Sequence, residues 1–350
     1  MEQMMPDAAC GSVHEVNGRS GHTAISHTEA NKLGLSYVLV TPARDEAAFI
    51  EKTIQSVIAQ TIRPLRWVIV SDGSTDGMVQ IAERCASEHP WIEVIQMPER
   101  AERHFAGKVR AFEAGYDRVK GLNYDFIGSL DGDVSFGPDY FEYLLEMSAR
   151  NPKIGLAGTN YCEEKLRYDY RYSNIEDVPG ACQLFRRDCF EAIGGYQPIK
   201  AGGVDLVAVL RARMEGWETR TFTDRHLIHH RPQGTATAKP WVVHFRDGQH
   251  DYRFGGHPLW EAFRGCYRMT QKPFVMGGFL LLAGYIWSAC TGTKRPVSPE
   301  LIQFRRREQM RRLRHFCKRV LASRVKLMVT LGCATTDTWA ELWDGLAPLL

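Results

Sequence analysis

Short apolar segments alternate with amphipathic ones along the first half of the chain, and this alternation limits the possible folds more than any other feature. The apolar segments are four to six residues long and rich in β-branched residues, which is typical of buried parallel strands. They are Leu35–Val40, Trp67–Val70, Ile92–Gln96, Asp125–Leu130 and Ile154–Gly158. The segments between them have helical periodicity and comprise Asp45–Gln60, Gly77–Glu88, Lys108–Lys120 and a helix that starts near Pro138. This repeated alternation predicts an α/β domain with a doubly wound, mostly parallel sheet.

The composition and the cysteines are those of an ordinary globular protein from a reducing compartment. Hydrophobic residues make up 44% of the chain and charged residues 24%, which excludes a chain that is disordered throughout. The nine cysteines are scattered without a CxxC motif, so we expect neither a disulfide framework nor a structural zinc site. The first residues lack the apolar stretch of a secretory signal, and we therefore expect a cytoplasmic location.

The charge of the chain is unevenly distributed. The 350 residues carry a net charge of only +3, but the segment Thr291–Lys326 contains twelve Lys and Arg residues and two Glu residues. A basic segment on a near-neutral chain is typical of contact with a membrane surface or a nucleic acid. Because the sequence contains no nucleic-acid motif or aromatic platform, we expect an anionic membrane surface as the partner and no nucleic acid.

Acidic loops follow three of the predicted strands. Thr41–Glu46 follows the first strand, Asp72–Asp76 the second and Asp131–Asp133 the fourth. Each loop alone is explained by helix capping or by a solvated turn, and Asp76 in particular suits a helix cap. The carboxyl ends of parallel strands meet at one edge of a sheet, however, and carboxylates that converge there repel each other. A bound divalent cation and a nucleotide would account for all three loops.

The order of these loops resembles that of the family 2 glycosyltransferases of the GT-A fold. The chain reads TPARDE, then DGSTD, then HFAGK and then DGD, and the resemblance covers Ser36–Arg231. It implies a Rossmann-like, mostly parallel sheet and a nucleotide-sugar donor. In that family the first two loops hold the nucleoside, which implies nucleotide binding by Pro42, Arg44, Glu46 and Asp72. Asp72 matches an aspartate that accepts the N3–H of the base, and this favours a UDP-type donor.

The resemblance also implies a metal centre. Asp131 and Asp133 match the DxD motif of the family, whose first residue lies near the ribose and whose last residue ligates Mg²⁺ or Mn²⁺ on the diphosphate. Three histidines follow downstream, at positions 226, 229 and 230. Some GT-A enzymes add a histidine to the metal at this point, which implies His229 or His230 as a further ligand. The alternative interpretation is a structural histidine held by hydrogen bonds.

Lys108 is the candidate cation of the nucleotide site. It matches a glycine–lysine element that the family carries before a helix, and it would offer a positive charge to the nucleotide. The alternative is a solvated lysine at a helix start. Arg103 and His104 precede it and are weaker candidates.

Asp205 is the candidate general base for the acceptor hydroxyl. The family places this base in a Glu-Asp pair ahead of a helix, whereas this chain has Val204-Asp205 and therefore lacks the first carboxylate. The alternative role of Asp205 is an N-cap, and Asp177 and Asp169 are the next candidates for the base. Gly180–Arg187 and Ile193–Tyr196 resemble the strand, arginine and glycine pair that lie beside the acceptor in this family.

The C-terminal third combines an uncharged segment with a basic one. Pro273–Thr293 contains no charged residue, and as a helix it would extend about 30 Å. We favour a re-entrant or interfacial element with a bend at its glycines over a membrane span or a buried hairpin. In Phe304–Lys318 apolar residues interrupt the arginines, as in an amphipathic helix on anionic lipid, although an ordinary solvated helix is the alternative.

These observations predict three regions and one activity. Residues 1–34 form a flexible tail, 35–245 a GT-A domain with a nucleotide-sugar half (35–158) and an acceptor half (159–245), and 246–350 a helical, basic, membrane-associating region. The predicted enzyme moves a sugar to a lipid-linked or saccharide acceptor at the cytoplasmic face of the cell membrane, as a peripheral or monotopic protein. The rivals are a nucleotidyltransferase, which would carry a glycine-rich loop after the first strand, and a non-catalytic membrane scaffold.

Overall fold

The structure is a computed structural model that describes residues 33–99, 105–163, 166–167, 174–231, 240–271 and 274–330. The chain divides into two compact units, Met1–Arg231 and Pro232–Leu350, which are described separately below. The predicted flexible tail lies outside the described residues except for residues 33 and 34, and so do Arg103, His104 and Asp169.

The first unit begins with the predicted alternation of parallel strands and helices. Its first four strands are β1 (Tyr37–Ala43), β2 (Arg66–Ser71), β3 (Ile92–Gln96) and β4 (Phe126–Leu130), with helices α1 (Ile50–Ile58), α2 (Met78–Ser87) and α3 (Phe105–Val119) between them. They pair in the order β3-β2-β1-β4, all parallel. Tyr37 and Leu39 face one hydrophobic core and Val38 and Val40 face another, so helices cover both faces of the sheet.

The start of α1 differs from the prediction. The periodicity predicted a helix from Asp45, but α1 begins at Ile50. Asp45 adopts a left-handed backbone conformation with φ 55°, which a right-handed helix cannot include. The intervening residues therefore form turns at the carboxyl end of β1, where the first acidic loop lies.

The remainder of the sheet corrects the expectation of a mostly parallel arrangement. It contains β5 (Val134–Ser135), β6 (Ile154–Glu163), β7 (Leu166–Arg167), β8 (Cys182–Arg186) and β9 (Glu218–His229), with helices α4 (Tyr140–Arg150), α5 (Arg187–Ala192) and α6 (Val204–Met214). Strand β8 lies between β4 and β6 and is antiparallel to both, while β9 is parallel to β6 and antiparallel to β5. The sheet is therefore mixed. Periodicity located β6 but could not reveal that a later strand separates it from β4.

The second unit is helical in its described part. It contains α7 (Pro240–Arg253), α8 (Pro258–Met269), α9 (Met276–Cys290) and α10 (Pro299–Thr330). Helix α7, which includes the boundary predicted at residue 245, lies wholly in this unit. None of the helices within the described ranges combines the length and the hydrophobicity that a membrane crossing requires.

Glycines bring α9 into close contact with its neighbours. A Cβ atom at Gly284 would overlap the carbonyl group of Phe245 on α7, and one at Gly278 would overlap the carbonyl oxygen of Gly265 on α8. These glycines therefore permit backbone-to-backbone packing, and α9 runs as one helix from Met276 to Cys290 instead of bending at them. The opposite side of α9 exposes large apolar side chains, namely Met276, Phe279, Ile286 and Trp287.

Candidate active site

Hydrogen bonds join the first two acidic loops to each other. The Asp45 carboxylate accepts from the backbone N–H of Thr75 at 3.1 Å. The Asp76 carboxylate accepts from the N–H of Ala47 at 2.7 Å and from the N–H of Met78 at the start of α2 at 3.1 Å. Asp76 therefore accepts from an N–H at the start of α2 and braces a loop, as its alternative interpretation predicted, although the N-cap position itself is Gly77.

The predicted nucleotide-binding residues lie at the carboxyl ends of β1 and β2. Pro42 is a buried residue of β1, and Arg44 follows that strand with its Nε 3.8 Å from the Asp45 carboxylate. Asp72 directly follows β2, and its backbone N–H donates to the carbonyl of Ala43 at 2.8 Å. Asp72 and Glu46 are both buried, at 5% and 9% exposure. Two carboxylates are therefore held at one edge of the sheet, as the sequence predicted.

Asp131, Asp133 and His229 form a group that could hold a divalent metal ion. Their potential ligand atoms all lie within 4.8 Å of one another. The pairing of Val134 on β5 with His229 on β9 brings the histidine beside Asp133, with Nε2 3.5 Å from Oδ1. Two carboxylates and an imidazole are suitable ligands for Mn²⁺, and the carboxylates suit Mg²⁺, so the residues present fit the predicted cation.

The surroundings of this group favour cation binding. The Nδ1 of His229 lies 2.5 Å from the carbonyl oxygen of Arg231, which can only accept, so Nδ1 donates and Nε2 is the ring nitrogen that faces Asp133 and could ligate a cation. Burial, together with the negative charge of Asp131, raises the pKa of Asp133. The other candidate, His230, instead bonds the hydroxyl of Ser135 through Nε2 at 2.9 Å.

Two cationic side chains balance these carboxylates. The Lys108 ammonium lies 2.5 Å from Asp131, and it is not a purely solvated lysine. Burial lowers the pKa of Lys108, but the negative charges of Asp131, Asp205 and Asp133 outweigh it, so the pKa lies above its ordinary value. Arg231 binds the Glu46 carboxylate at 2.6 Å and places its Nε 3.8 Å from Asp133.

Arg231 was not among the residues predicted for the site. It directly follows His229-His230 at the end of β9, and this position beside the histidines was the one signal in the sequence. Its partners Glu46 and Asp133 lie in the loops after β1 and β4 and become its neighbours only after β9 has returned to the sheet edge.

Asp205 lies in the first turn of α6 but does not cap it. The N-cap is Gly203, with φ 74°, and Asp205 follows two positions later. Its carboxylate packs against Gly180, where a Cβ atom would stand 2.9 Å from Oδ2. The next candidate base, Asp177, is in an ion pair with Arg213 at 2.9 Å. The negative charge of Asp205 acts on the Lys108 ammonium, whereas the role of Asp205 stays a prediction.

The segment that carries the three acidic loops matches a known protein family. Residues 38–187 match the family described as Glycosyl transferase family 2. The chain carries a family 2 glycosyltransferase domain. The match includes the TPARDE, DGSTD and DGD loops and β8 but ends before Asp205, His229 and Arg231. The prediction of a glycosyltransferase is therefore confirmed.

Relatives of the glycosyltransferase are distant. The succinoglycan biosynthesis protein ExoA of Rhizobium meliloti is 22% identical over 293 residues, which cover 73% of this chain and 84% of the relative. The glucosyl-dolichyl phosphate glucuronosyltransferase of Haloferax volcanii is 24% identical over 186 residues, which cover 46% of this chain and 55% of the relative. The chain thus spans most of the first relative and about half of the second.

Solved structures similar to the glycosyltransferase have low sequence identity. A mannosyltransferase from Pyrobaculum calidifontis, in complex with GDP-Man and Mn²⁺, is 16% identical with a TM-score of 0.48 and covers 89% of this chain and 84% of its own. TarS 1–349 of S. aureus, in complex with UDP, is 12% identical with a TM-score of 0.47 and covers 76% of each chain.

Proposed function

We propose that the enzyme transfers a sugar from a UDP-type nucleotide donor to a hydroxyl group of a lipid-linked or saccharide acceptor, with inversion at C1. The observation that carries this proposal is the convergence of Asp131, Asp133 and His229 beside the buried carboxylates Glu46 and Asp72. In the proposal, Pro42 and Arg44 line the nucleotide site with these two carboxylates. The N3–H of uracil donates to Asp72.

Asp131, Asp133 and His229 would hold Mg²⁺ or Mn²⁺. Such a cation, when bound, would neutralise the diphosphate and so make it a better leaving group. Lys108 adds a fixed positive charge beside Asp131, which attracts the anionic donor. Arg231 keeps Glu46 and Asp133 in position through its two contacts.

Asp205 acts as the general base in this proposal. Its carboxylate accepts the proton of the acceptor hydroxyl while the hydroxyl oxygen attacks C1 of the sugar from the face opposite the diphosphate. The new glycosidic bond forms as the bond from C1 to the diphosphate oxygen breaks, and the nucleoside diphosphate departs. The electrostatic interaction of Asp205 with Lys108 supports this role, because Lys108 also lies beside Asp131 of the donor site.

The Asp205→Asn variant tests this assignment. We expect kcat to fall by about 10²-fold or more, because the amide cannot take the proton, while the donor affinity measured by calorimetry stays within about twofold. Asp177→Asn is the matched control, since it removes a carboxylate from the same half of the unit and should keep near-normal kcat. A normal kcat for Asp205→Asn would exclude Asp205 as the base.

We further propose that the second unit holds the enzyme at an anionic membrane surface, on the cytoplasmic face. The exposed apolar side of α9 supports this location, with Phe279 and Ile286 each more than half exposed. The basic residues of α10 support it as well. A peripheral attachment of this kind would bring the enzyme close to a lipid-linked acceptor.

A further inference from the structure

A basic cleft lies between the start of α8 and one face of α10. Its volume is about 520 Å³, and His257, Arg306, Arg307, Arg311 and Arg314 line it. The arginines fall at helical spacing on one side of α10, so that their guanidinium groups point into a shared space. No carboxylate is among the residues that line this cleft.

The arginines of α10 divide into two sets. On another side of the helix, Arg305 is buried and bonds the Asp251 carboxylate on α7 at 2.7 Å, which is a structural contact within the unit. In the cleft, Arg307 and Arg314 form no ion pair with any part of the chain that the structure describes, and Arg311 approaches Glu308 only to 4.0 Å. The cleft set therefore retains positive charge that packing of the unit does not use.

His257 adds a directed hydrogen-bond donor to the cleft. Its Nδ1 accepts from the backbone N–H of Leu259 at 3.2 Å, so the ring proton is on Nε2. Burial, together with the positive charge of Arg306, lowers the pKa of His257, and the ring is neutral at neutral pH. Arg306 is itself oriented by a 3.2 Å hydrogen bond from Nε to the carbonyl of Gly255. Several donors that line one cleft without a carboxylate among them suit a phosphate group.

Apolar surface adjoins this basic cleft. Leu259 follows His257 by two residues and donates its backbone N–H to the His257 ring, and its side chain is 59% exposed. A ligand with a phosphate head and an apolar chain would contact both surfaces, whereas free phosphate would contact only the basic one.

We propose that this cleft is a binding site for the phosphate or diphosphate group of a phosphorylated lipid. The proposal deepens the proposed lipid-linked acceptor and rests on it for any role in transfer, but the binding itself is independent of Asp205 and of the donor. A normal kcat for Asp205→Asn would therefore not contradict phosphate binding in the cleft. Absence of phosphate binding in the cleft would likewise not contradict the proposed role of Asp205.

The test compares three probes by calorimetry on the full chain: farnesyl diphosphate, inorganic pyrophosphate and farnesol. We expect farnesyl diphosphate to bind at about one site per chain, at least about tenfold more tightly than pyrophosphate, and farnesol not to bind measurably. Equal affinity for pyrophosphate would mean a site for free phosphate and would overturn the lipid assignment. Absence of binding by farnesyl diphosphate would overturn the whole proposal.

Two matched double variants locate the binding. Arg307→Gln/Arg314→Gln should weaken farnesyl diphosphate binding by about tenfold or more, because it removes two charge-assisted donors. Lys318→Gln/Arg319→Gln removes the same charge from exposed positions of the same helix and should stay within about twofold. If both double variants weakened farnesyl diphosphate binding equally, the binding would be non-specific electrostatic attraction to the helix, and the proposed site would be wrong. Asp133→Asn should bind the probe like the unmodified chain, which separates the cleft from the donor site; a loss there would overturn the proposal.

Discussion

Buried carboxylates occur in both units, and their neighbours decide whether they carry a proton. In the second unit Asp251 is buried but lies between Arg264 and Arg305, and these charges hold its pKa at about 2 against the effect of burial. Glu261 is 1% exposed on α8, and its Oε1 has no hydrogen-bond partner in the described part of the chain. Burial and the negative charge of Asp251 raise the pKa of Glu261 to about 8. Glu261 is therefore protonated at neutral pH.

The protonation of Glu261 predicts a pH-dependent stability. Its pKa is about 8 when folded and near 4.5 when unfolded, so the folded state binds the proton more tightly. Stability from this group is complete below about pH 4.5 and declines as the pH rises to about 8, by up to about 1.4 kcal/mol per pH unit. Asp251 acts in the opposite direction, but only below about pH 4. Asp247, Arg264 and Arg305 are the other charged groups near Glu261.

Glu261→Gln checks this prediction because glutamine copies the neutral carboxyl group. We expect the free energy of unfolding in urea, measured at pH 5.5, 6.5 and 7.5, to fall with pH more steeply for the unmodified chain than for the variant. The difference in the free energy of unfolding between the two proteins reports the titration of Glu261 alone, because all other titrating groups are common to both. A difference that is the same at the three pH values would contradict the raised pKa.

The sequence predicted the location of residues that directly follow a strand. Asp72 and Asp131 each come directly after a buried strand, and the topology of parallel sheets places them at one edge. Arg231 was missed because Glu46 and Asp133 lie far away in the sequence. Glu261 was missed because its raised pKa depends on its burial and on Asp251 of another helix. Such partners become neighbours only through the return of β9 or the packing of helices α7, α8 and α10, which no local pattern encodes.

At the scale of elements, strands were easier to locate than to order. The runs of β1 to β4 are apolar and separated by clear helices, which is enough to predict a parallel order. Strand β8 is inserted beside β4 in the antiparallel direction, and this insertion leaves no periodic signal in the sequence. The glycines of α9 were also misinterpreted from the sequence. Gly278 and Gly284 allow close contacts with α8 and α7, and the sequence of α9 alone does not reveal these contacts.

Gly284→Ala tests the close contact of α9 with α7. An added methyl group would overlap the backbone of Phe245, so the helices must move apart, and we expect a loss of about 2 kcal/mol or more in the free energy of unfolding. Gly277→Ala is the matched control on the same helix, because its Cβ would meet its neighbours at an ordinary 3.5 Å. The control should be neutral or slightly stabilising. Equal stability of both variants in urea would contradict the contact.

At the scale of the whole molecule, charge separates the two units. Residues 232–350 contain 18 Lys and Arg and eight Asp and Glu, a net charge of +10, whereas residues 1–231 carry −7. An anionic surface therefore attracts the second unit and repels the first. The apolar side of α9 belongs to the attracted unit, so electrostatic attraction and apolar burial act on the same part of the chain.

This distribution predicts two distinguishable contributions to membrane binding. We expect the full chain to sediment with vesicles that contain anionic phospholipid, and partly to remain bound in 1 M salt, which reduces the screening length to about 3 Å. Phe279→Ser/Ile286→Ser removes exposed apolar side chains of α9 and should weaken binding by about tenfold or more, so that salt alone releases the protein. The control Leu65→Ser/Phe105→Ser alters exposed apolar residues of the first unit and should behave like the unmodified chain. A protein that stays in the supernatant at low salt would contradict the membrane location.

The short pairing of β5 with β9 has a consequence for how the protein is made. Val134 pairs with His229, 95 positions further along the chain, whereas Val38 on β1 pairs with Arg66 after only 28. Contacts between residues so far apart form late, because a long loop must close before any contact offsets its entropy. A growing chain on the ribosome therefore exposes Asp131 and Asp133 well before His229 has been synthesised. We expect the newly made enzyme to acquire its full affinity for metal only in the last stages of folding, after β9 has joined the sheet.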